Sequence, residues 1–244
     1  MAPETLAGTR LWWRDDPPWP HMPASIAVAR LDGFGEEPLL ANPEARAIPL
    51  PASIARARPR RQADYVAGRL CALRVVTRLT GRGTVVGRRA DGAPRWPQGL
   101  TGSISHAGGQ AIAAVAPTTH LCAIGVDVES VMTPAQAETL APLILTAGER
   151  RRFVGERPAL PVTPALLVTA AFSLKEALFK ALHPLTGTMF FHEDAELLAL
   201  APDGRATLRL LVGLAPGWQP GTRLNALWCR AGDHVFSLVT KGQE

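Results

Sequence analysis

Three carboxylates and a lysine sit at spacings that suggest chemistry. "AIGVDVES", Ala123 to Ser130, alternates Ile124, Val126 and Val128 with Gly125, Asp127 and Glu129, so a strand of period two puts both acids on one face. Like charges so placed repel, and the stretch asks for something positive between them. In "AAFSLKEALFKAL", Leu174, Ala177, Leu178, Ala181 and Leu182 recur at helical spacing and form a core stripe. Glu176 and Lys180, four apart, share the opposite side. Read blandly, they are a solvated pair contributing about 0.3 to 0.5 kcal/mol, and Asp127 and Glu129 are charges on an exposed edge strand. Read as chemistry, Asp127, Glu129 and Glu176 are three oxygen ligands from two elements, with no His or Cys cluster beside them. That donor set suits Mg²⁺ better than Zn²⁺. Gly125, on the acids' side, leaves room for a bulky ligand.

Basic residues sharpen the contrast. Of 26 Lys and Arg, only Lys175, Lys180 and Lys241 are lysines, and two of these lie within six residues. Where arginine is the default cation, a lysine pair points to a need for a compact charge or a shiftable pKa. Arginine concentrates elsewhere, eleven between Arg56 and Arg95 against two aspartates, which predicts an anionic ligand or partner. Within that stretch Arg61, Tyr65, Gly68 and Arg69 fall on one side of a helix, where two arginines make a fork for a phosphate. A mid-helix glycine costs about 1 kcal/mol relative to alanine, so Gly68 serves either close packing or close ligand approach. Nucleic-acid binding would use the arginines but offers only Tyr65 and Trp96 for stacking and leaves the acids unexplained. "GSISHAGG" places Ser103, Ser105 and His106 near each other, yet no G-x-S-x-G elbow supports a serine hydrolase.

The elements that must position these groups are legible from pattern. A strand is expected near Ser25 to Leu31, then a helix from about Arg60 to Leu79 closed by Gly81. "GTVVGRR" reads as a strand, and "LTGSISHAGGQAIAAVAP" as a hairpin turning at Gly108-Gly109. Helices are expected near Pro134 to Phe153 and Thr163 to Leu182. The chain then closes in strands, the first two joined at an Asp-Gly turn. Each half holds helix and antiparallel sheet, an α+β chain of two similar lobes joined near Leu121.

Composition bounds the rest. The chain's 244 residues, 47% apolar and 19% charged, are those of a globular protein with net charge +5. Neither a membrane span nor a leader peptide is apparent, and a cytoplasmic location is expected. Cys71, Cys122 and Cys229 are scattered in apolar context and read as buried thiols.

Taken in order, "RRQADYVAGRLCA", "APRWPQGLTGSISHAGG", "GVDVE" and "FSLKEALFKAL" resemble the 4′-phosphopantetheinyl transferase superfamily, and within it the enterobactin-synthase type. The signatures run from about residue 60 to 182; G-V-D-x-E combined with K-E-A-x-x-K is the specific part. The resemblance implies two lobes related by a pseudo-twofold axis, 1–121 gripping the 3′-phosphate of coenzyme A and 122–244 carrying the acids. It implies transfer of the phosphopantetheine arm to a serine of an apo acyl, peptidyl or aryl carrier protein, by a monomer using Mg²⁺ or Mn²⁺ and no nucleic acid. By the same resemblance Asp127, Glu129 and Glu176 hold the metal, with Asp127 also at the coenzyme, and Lys180 contacts phosphate. Arg61, Arg69 and Arg88 meet phosphate, Ser105 and His106 line the coenzyme, and Lys175 acts at the phosphate or on a proton. Phe172 departs from the tryptophan of many relatives. Glu129, Glu176 and Glu149 are the side chains that could take the serine proton.

Overall fold

Proline at the first helical turn and glycine just past the last mark the longest helix of the N-terminal half. The computed structural model describes residues 5–6, 9–10, 12–154 and 162–243. In it helix α1 spans Pro59–Thr80, and Gly81 closes it in the left-handed region at φ 70°. The chain divides into two compact units, one of residues up to Pro17 with Pro23–His120, the other of Pro18–Met22 with Leu121 onward.

The first unit has a four-stranded antiparallel sheet. Its strands, in chain order, are β1 (Trp12–Arg14), β2 (Ala27–Asp32), β5 (Leu100–Ala107) and β6 (Gln110–Pro117), in spatial order β1-β2-β6-β5. A two-stranded ladder, β3 (Gly87–Arg88) with β4 (Pro94–Arg95), precedes β5. Gly108 and Gly109, at φ 56° and 80°, make the tight β5–β6 turn, because two successive left-handed residues match the twist of the strands they join. Only Gly87 and Arg88 of "GTVVGRR" are strand; Val86 is buried in the core instead. Ala63, Val66, Ala67, Leu70 and Val75 turn the apolar face of α1 onto the sheet.

The second unit has five antiparallel strands. These are β7 (Leu121–Ser130), β8 (Ala195–Leu200), β9 (Arg205–Leu210), β10 (Arg223–Ala231) and β11 (His234–Gly242), in spatial order β8-β9-β10-β11-β7. β7 carries the acids and, among the described residues, pairs with β11 alone, so that Gly125, Asp127 and Glu129 stand opposite Val239, Ser237 and Val235. Helix α3 (Pro164–Thr186) covers the acid-bearing face, and its predicted stripe, Leu174, Ala177, Leu178, Ala181 and Leu182, is buried. The helix expected over Pro134 to Phe153 is interrupted. Helix α2 (Pro134–Ile144) ends at extended Leu145, and Thr146 caps a new turn over Ala147–Glu149 that runs into a π-helical turn, Arg150–Val154. The break is chemical: the Thr146 hydroxyl accepts from Glu149 N and the Glu149 carboxylate accepts from Thr146 N, a capping box.

Pro18–Met22 joins the second unit through Trp19, which is buried and donates its indole N–H to Phe236 O at 3.0 Å. An indole pays little for burial once its one donor is satisfied.

Candidate functional site

In the first unit a groove forms where α1 crosses β5. Residues 61, 65, 68 and 69 recur at one helical side, and the structure brings Arg61, Tyr65, Gly68, Arg69, Arg88 and His106 to its walls. Gly68 is there because a Cβ would stand 2.6 Å from Ile104 Cγ2; the glycine lets helix and strand approach. Arg61 Nη1 donates to His106 Nε2 at 3.1 Å. A guanidinium only donates, so Nε2 accepts and the ring proton lies on Nδ1, which is 3.8 Å from Asp64 Oδ2. Arg69 is 5% exposed, stacks over the Tyr65 ring at 4.9 Å and forms no ion pair among the described residues. Its Nε is buried without a hydrogen-bond partner. A buried guanidinium without a carboxylate is costly unless an anion meets it. Arg88 is held by its own turn, Nε donating to Gly92 O at 3.3 Å.

Other arginines of the basic stretch are used internally. Arg74 makes a two-pronged bond to Asp15 at 2.9 Å, Arg78 reaches the same carboxylate, and Arg89 pairs with Asp91. Ser105 is not part of the groove. It is buried on the strand face opposite Ile104 and His106, since neighbouring strand residues point to opposite sides.

In the second unit Asp127 is 1% exposed and its Oδ1 accepts from Lys180 Nζ at 2.5 Å. Asp127 is therefore no solvated edge charge, although β7 is an edge strand. Glu129, half-buried, has its carboxyl pushed up to about 7, first by burial and then by the negative charges of Asp127 and Glu176, against the opposing pull of Lys180. Glu176 is held below its ordinary range, chiefly by a hydrogen bond from His192 and, against the effect of burial, by the Lys180 charge. His192 Nε2 lies 3.1 Å from Glu176 Oε1, and a carboxylate can only accept, so the imidazole donates.

Gly125 has a different reason from the one its position suggested. A Cβ there would lie 1.9 Å from Ala177 O and 2.6 Å from Ala181 N, so the missing side chain admits the backbone of α3, not a ligand. Lys175, too, is corrected. It is 3% exposed, and its Nζ donates to Ile144 O, Glu149 Oε2 and His192 O at 2.8, 2.8 and 2.9 Å. Those bonds use all three ammonium protons, leaving none for a phosphate. Glu149 leaves the set of proton acceptors for the same cause: it is 0% exposed and also accepts from Thr146 N and Leu197 N.

Among the described residues no three His, Cys, Asp or Glu groups are already arranged as the ligands of one ion. The electrostatics of Asp127, Glu129 and Glu176 nevertheless fit a hard divalent cation. Asp127 and Glu176 are close enough to push the Glu129 carboxyl up, and Lys180 is the ammonium that acts on all three; mutual repulsion of that kind is relieved by added positive charge. His192 was not singled out by sequence. It lies outside any periodic segment, and no spacing ties it to Glu176.

Comparison with known proteins adds matches to two family descriptions and to individual relatives. Residues 50–116 match the family described as 4′-phosphopantetheinyl transferase N-terminal domain, and residues 123–237 match the 4′-phosphopantetheinyl transferase superfamily. The chain is 33% identical to enterobactin synthase component D of Salmonella typhi over 181 residues, 74% of this chain and 72% of that one. It is 39% identical to the 4′-phosphopantetheinyl transferase Svp of Streptomyces mobaraensis, over 66% of this chain and 64% of the relative. With the 4′-phosphopantetheinyl transferase Npt of Nocardia iowensis the identity is 30%, covering 76% and 78%.

Proposed function

This chain belongs to the 4′-phosphopantetheinyl transferase superfamily, and we propose that it moves the 4′-phosphopantetheine arm of coenzyme A to a serine of an apo carrier protein. The observation that carries this reading is the clustering of Asp127, Glu129 and Glu176 with Lys180, three acids around one cation in the matched segment. Serine oxygen bonds to the phosphorus that bears the pantetheine, the bridging P–O bond breaks, and adenosine 3′,5′-bisphosphate leaves. The hydroxyl proton passes to Glu129 or Glu176, and the pH–rate profiles of Glu129→Gln and Glu176→Gln distinguish them.

Mg²⁺, or Mn²⁺ in its place, held by Asp127, Glu129 and Glu176, would supply positive charge to the diphosphate. Lys180, 28% exposed on its side chain, would add a compact positive charge beside the phosphates. In transfers of this kind the protein chiefly positions groups and stabilises charge. Arg61 and the buried Arg69 take the 3′-phosphate of coenzyme A, with Arg88 and His106 beside it. Lys175 acts through structure, holding the backbone next to Glu176.

Carrier proteins of the acyl, peptidyl or aryl kind are the partners, and the chain works as a monomer in the cytoplasm. Three cysteines that remain thiols suit a reducing compartment. No helix of the described residues is long and apolar enough to cross a membrane. The deciding experiment is mass spectrometry of apo carrier proteins of the three kinds after incubation with coenzyme A and Mg²⁺. Gain of the phosphopantetheine arm is expected; unmodified carriers throughout would reject the proposal.

A further inference from the structure

Lys175 and Glu176 are neighbours on α3, and both hold residue 192. Lys175 Nζ donates to the backbone carbonyl of His192 at 2.9 Å, while Glu176 Oε1 accepts from its Nε2 at 3.1 Å. A third side chain of the same helix, Phe172, sets its ring against the imidazole with centroids 5.2 Å apart. His192 therefore has its main chain, its ring face and its ring nitrogen fixed by three residues within one and a half turns of helix. Lys175 is itself immobile, because its other two bonds go to Glu149 and Ile144 in the interior.

The consequence falls on Glu176. A glutamate on a helix surface has three rotatable bonds and loses entropy when a ligand fixes them. Here one carboxylate oxygen is already tied to a ring whose main chain is held by Lys175 and whose face rests on Phe172, and both partners are partly open, at 29% exposure for His192 and 33% for Glu176. We propose that His192 is a positioning residue for Glu176, fixing the carboxylate through Oε1 so that the group meets a divalent cation already oriented. The inference rests on the reading of Glu176 as an ion-binding carboxylate and adds a residue outside the acid trio. Partners that orient a ligating group in this way change metal affinity by about 10- to 100-fold when removed.

The test compares the wild-type chain with His192→Phe, which keeps a ring against Phe172 but has no donor, and His192→Gln, whose amide N–H restores one. Mn²⁺ binding is followed by electron paramagnetic resonance of the free ion. Half-saturating Mg²⁺ and the KM for coenzyme A are measured in the transfer reaction. His192→Phe should weaken Mn²⁺ binding and raise half-saturating Mg²⁺ by about tenfold or more, with the KM for coenzyme A at saturating Mg²⁺ within about twofold of wild type. His192→Gln should recover most of the loss. Were the phenylalanine poorly accommodated, His192→Ala removes the same donor without adding volume and should give the same Mn²⁺ result. Damage to the fold alone would lower kcat through the active fraction and leave half-saturating Mg²⁺ unchanged. Equal Mn²⁺ affinity in all the chains, or a His192→Gln variant as weak as His192→Phe, overturns the positioning role while leaving the acid trio intact. A wild-type chain that binds no Mn²⁺ removes the ion-binding reading and this inference together.

Discussion

Lys175 Nζ lies 2.8 Å from Glu149 Oε2, with 2% of one side chain and none of the other exposed to solvent. Burial pulls the Lys175 ammonium below its ordinary value, and the Glu149 carboxylate works against that pull. Removing one partner of such a pair leaves an unmatched charge in the interior. Lys175→Met should therefore destabilise the chain by about 3–5 kcal/mol in urea unfolding, and Lys175→Met with Glu149→Gln should recover part of it. A Lys175→Met chain of wild-type stability that has lost transfer would restore a direct chemical role to the lysine.

Gly125→Ala should be costly for a reason local to two elements. Its Cβ would press on the Ala177 carbonyl at 1.9 Å, and backbone cannot swing aside as a side chain can. A loss of about 3 kcal/mol is expected, at the upper end of usual overpacking. Retained stability would mean that α3 shifts freely on β7.

Asp127→Asn is the cleaner probe of the acid cluster than Asp127→Ala, since Asp127 is 1% exposed and alanine would leave a cavity as well. Loss of the charge should lower kcat/KM for transfer on the order of 10²-fold or more, with the circular dichroism spectrum unchanged. Full activity in both Asp127→Asn and Glu176→Gln would remove these groups from the reaction.

Glu129 makes stability depend on pH. Its carboxyl stands at about 7 against an ordinary 4.5, so between those values the folded chain binds a proton that the unfolded chain has released. Without divalent cation, this group's contribution to stability is fully present at low pH and is lost as pH rises through about 7. Mg²⁺ counters the charge that appears, so millimolar Mg²⁺ should raise the Tm more at about pH 8 than at about pH 5. The difference should shrink in Glu129→Gln. Equal Mg²⁺ effects at both pH values in the two chains would contradict the shared charge of the trio.

Arg61 and Arg69 should discriminate coenzyme A from its 3′-dephospho form. Arg61→Ala should raise the KM for coenzyme A by about 10-fold or more, as expected for a lost charged hydrogen bond, and leave the KM for dephospho-coenzyme A unchanged. Arg69→Lys should act in the same direction, because a point charge cannot replace the planar fork stacked on Tyr65. Equal effects on both substrates would move the 3′-phosphate elsewhere.

Much of this chain was readable as periodicity. Alternation in "GVDVE" put Gly125, Asp127 and Glu129 on one strand face, and 3.6-residue spacing put Arg61, Tyr65, Gly68 and Arg69 on one helix side; both hold in the fold. The same alternation places Ser105 on the face away from His106, against the expectation that both line the coenzyme. Those inferences work because a repeat within one element is set by backbone geometry alone. Sequence did not reveal the break at Leu145, where Thr146 and Glu149 cap a new turn inside a helical pattern.

The sequence by itself determined the α+β class, the main strands and helices, and the residue types able to meet a metal ion and phosphate. Only the tertiary structure decided that Lys175 is tied to Glu149, that Gly125 admits the backbone of α3, and that His192 holds Glu176. Each of these contacts joins separate elements, and the distances across them depend on how helix, loop and strand pack, which no interval along the chain encodes.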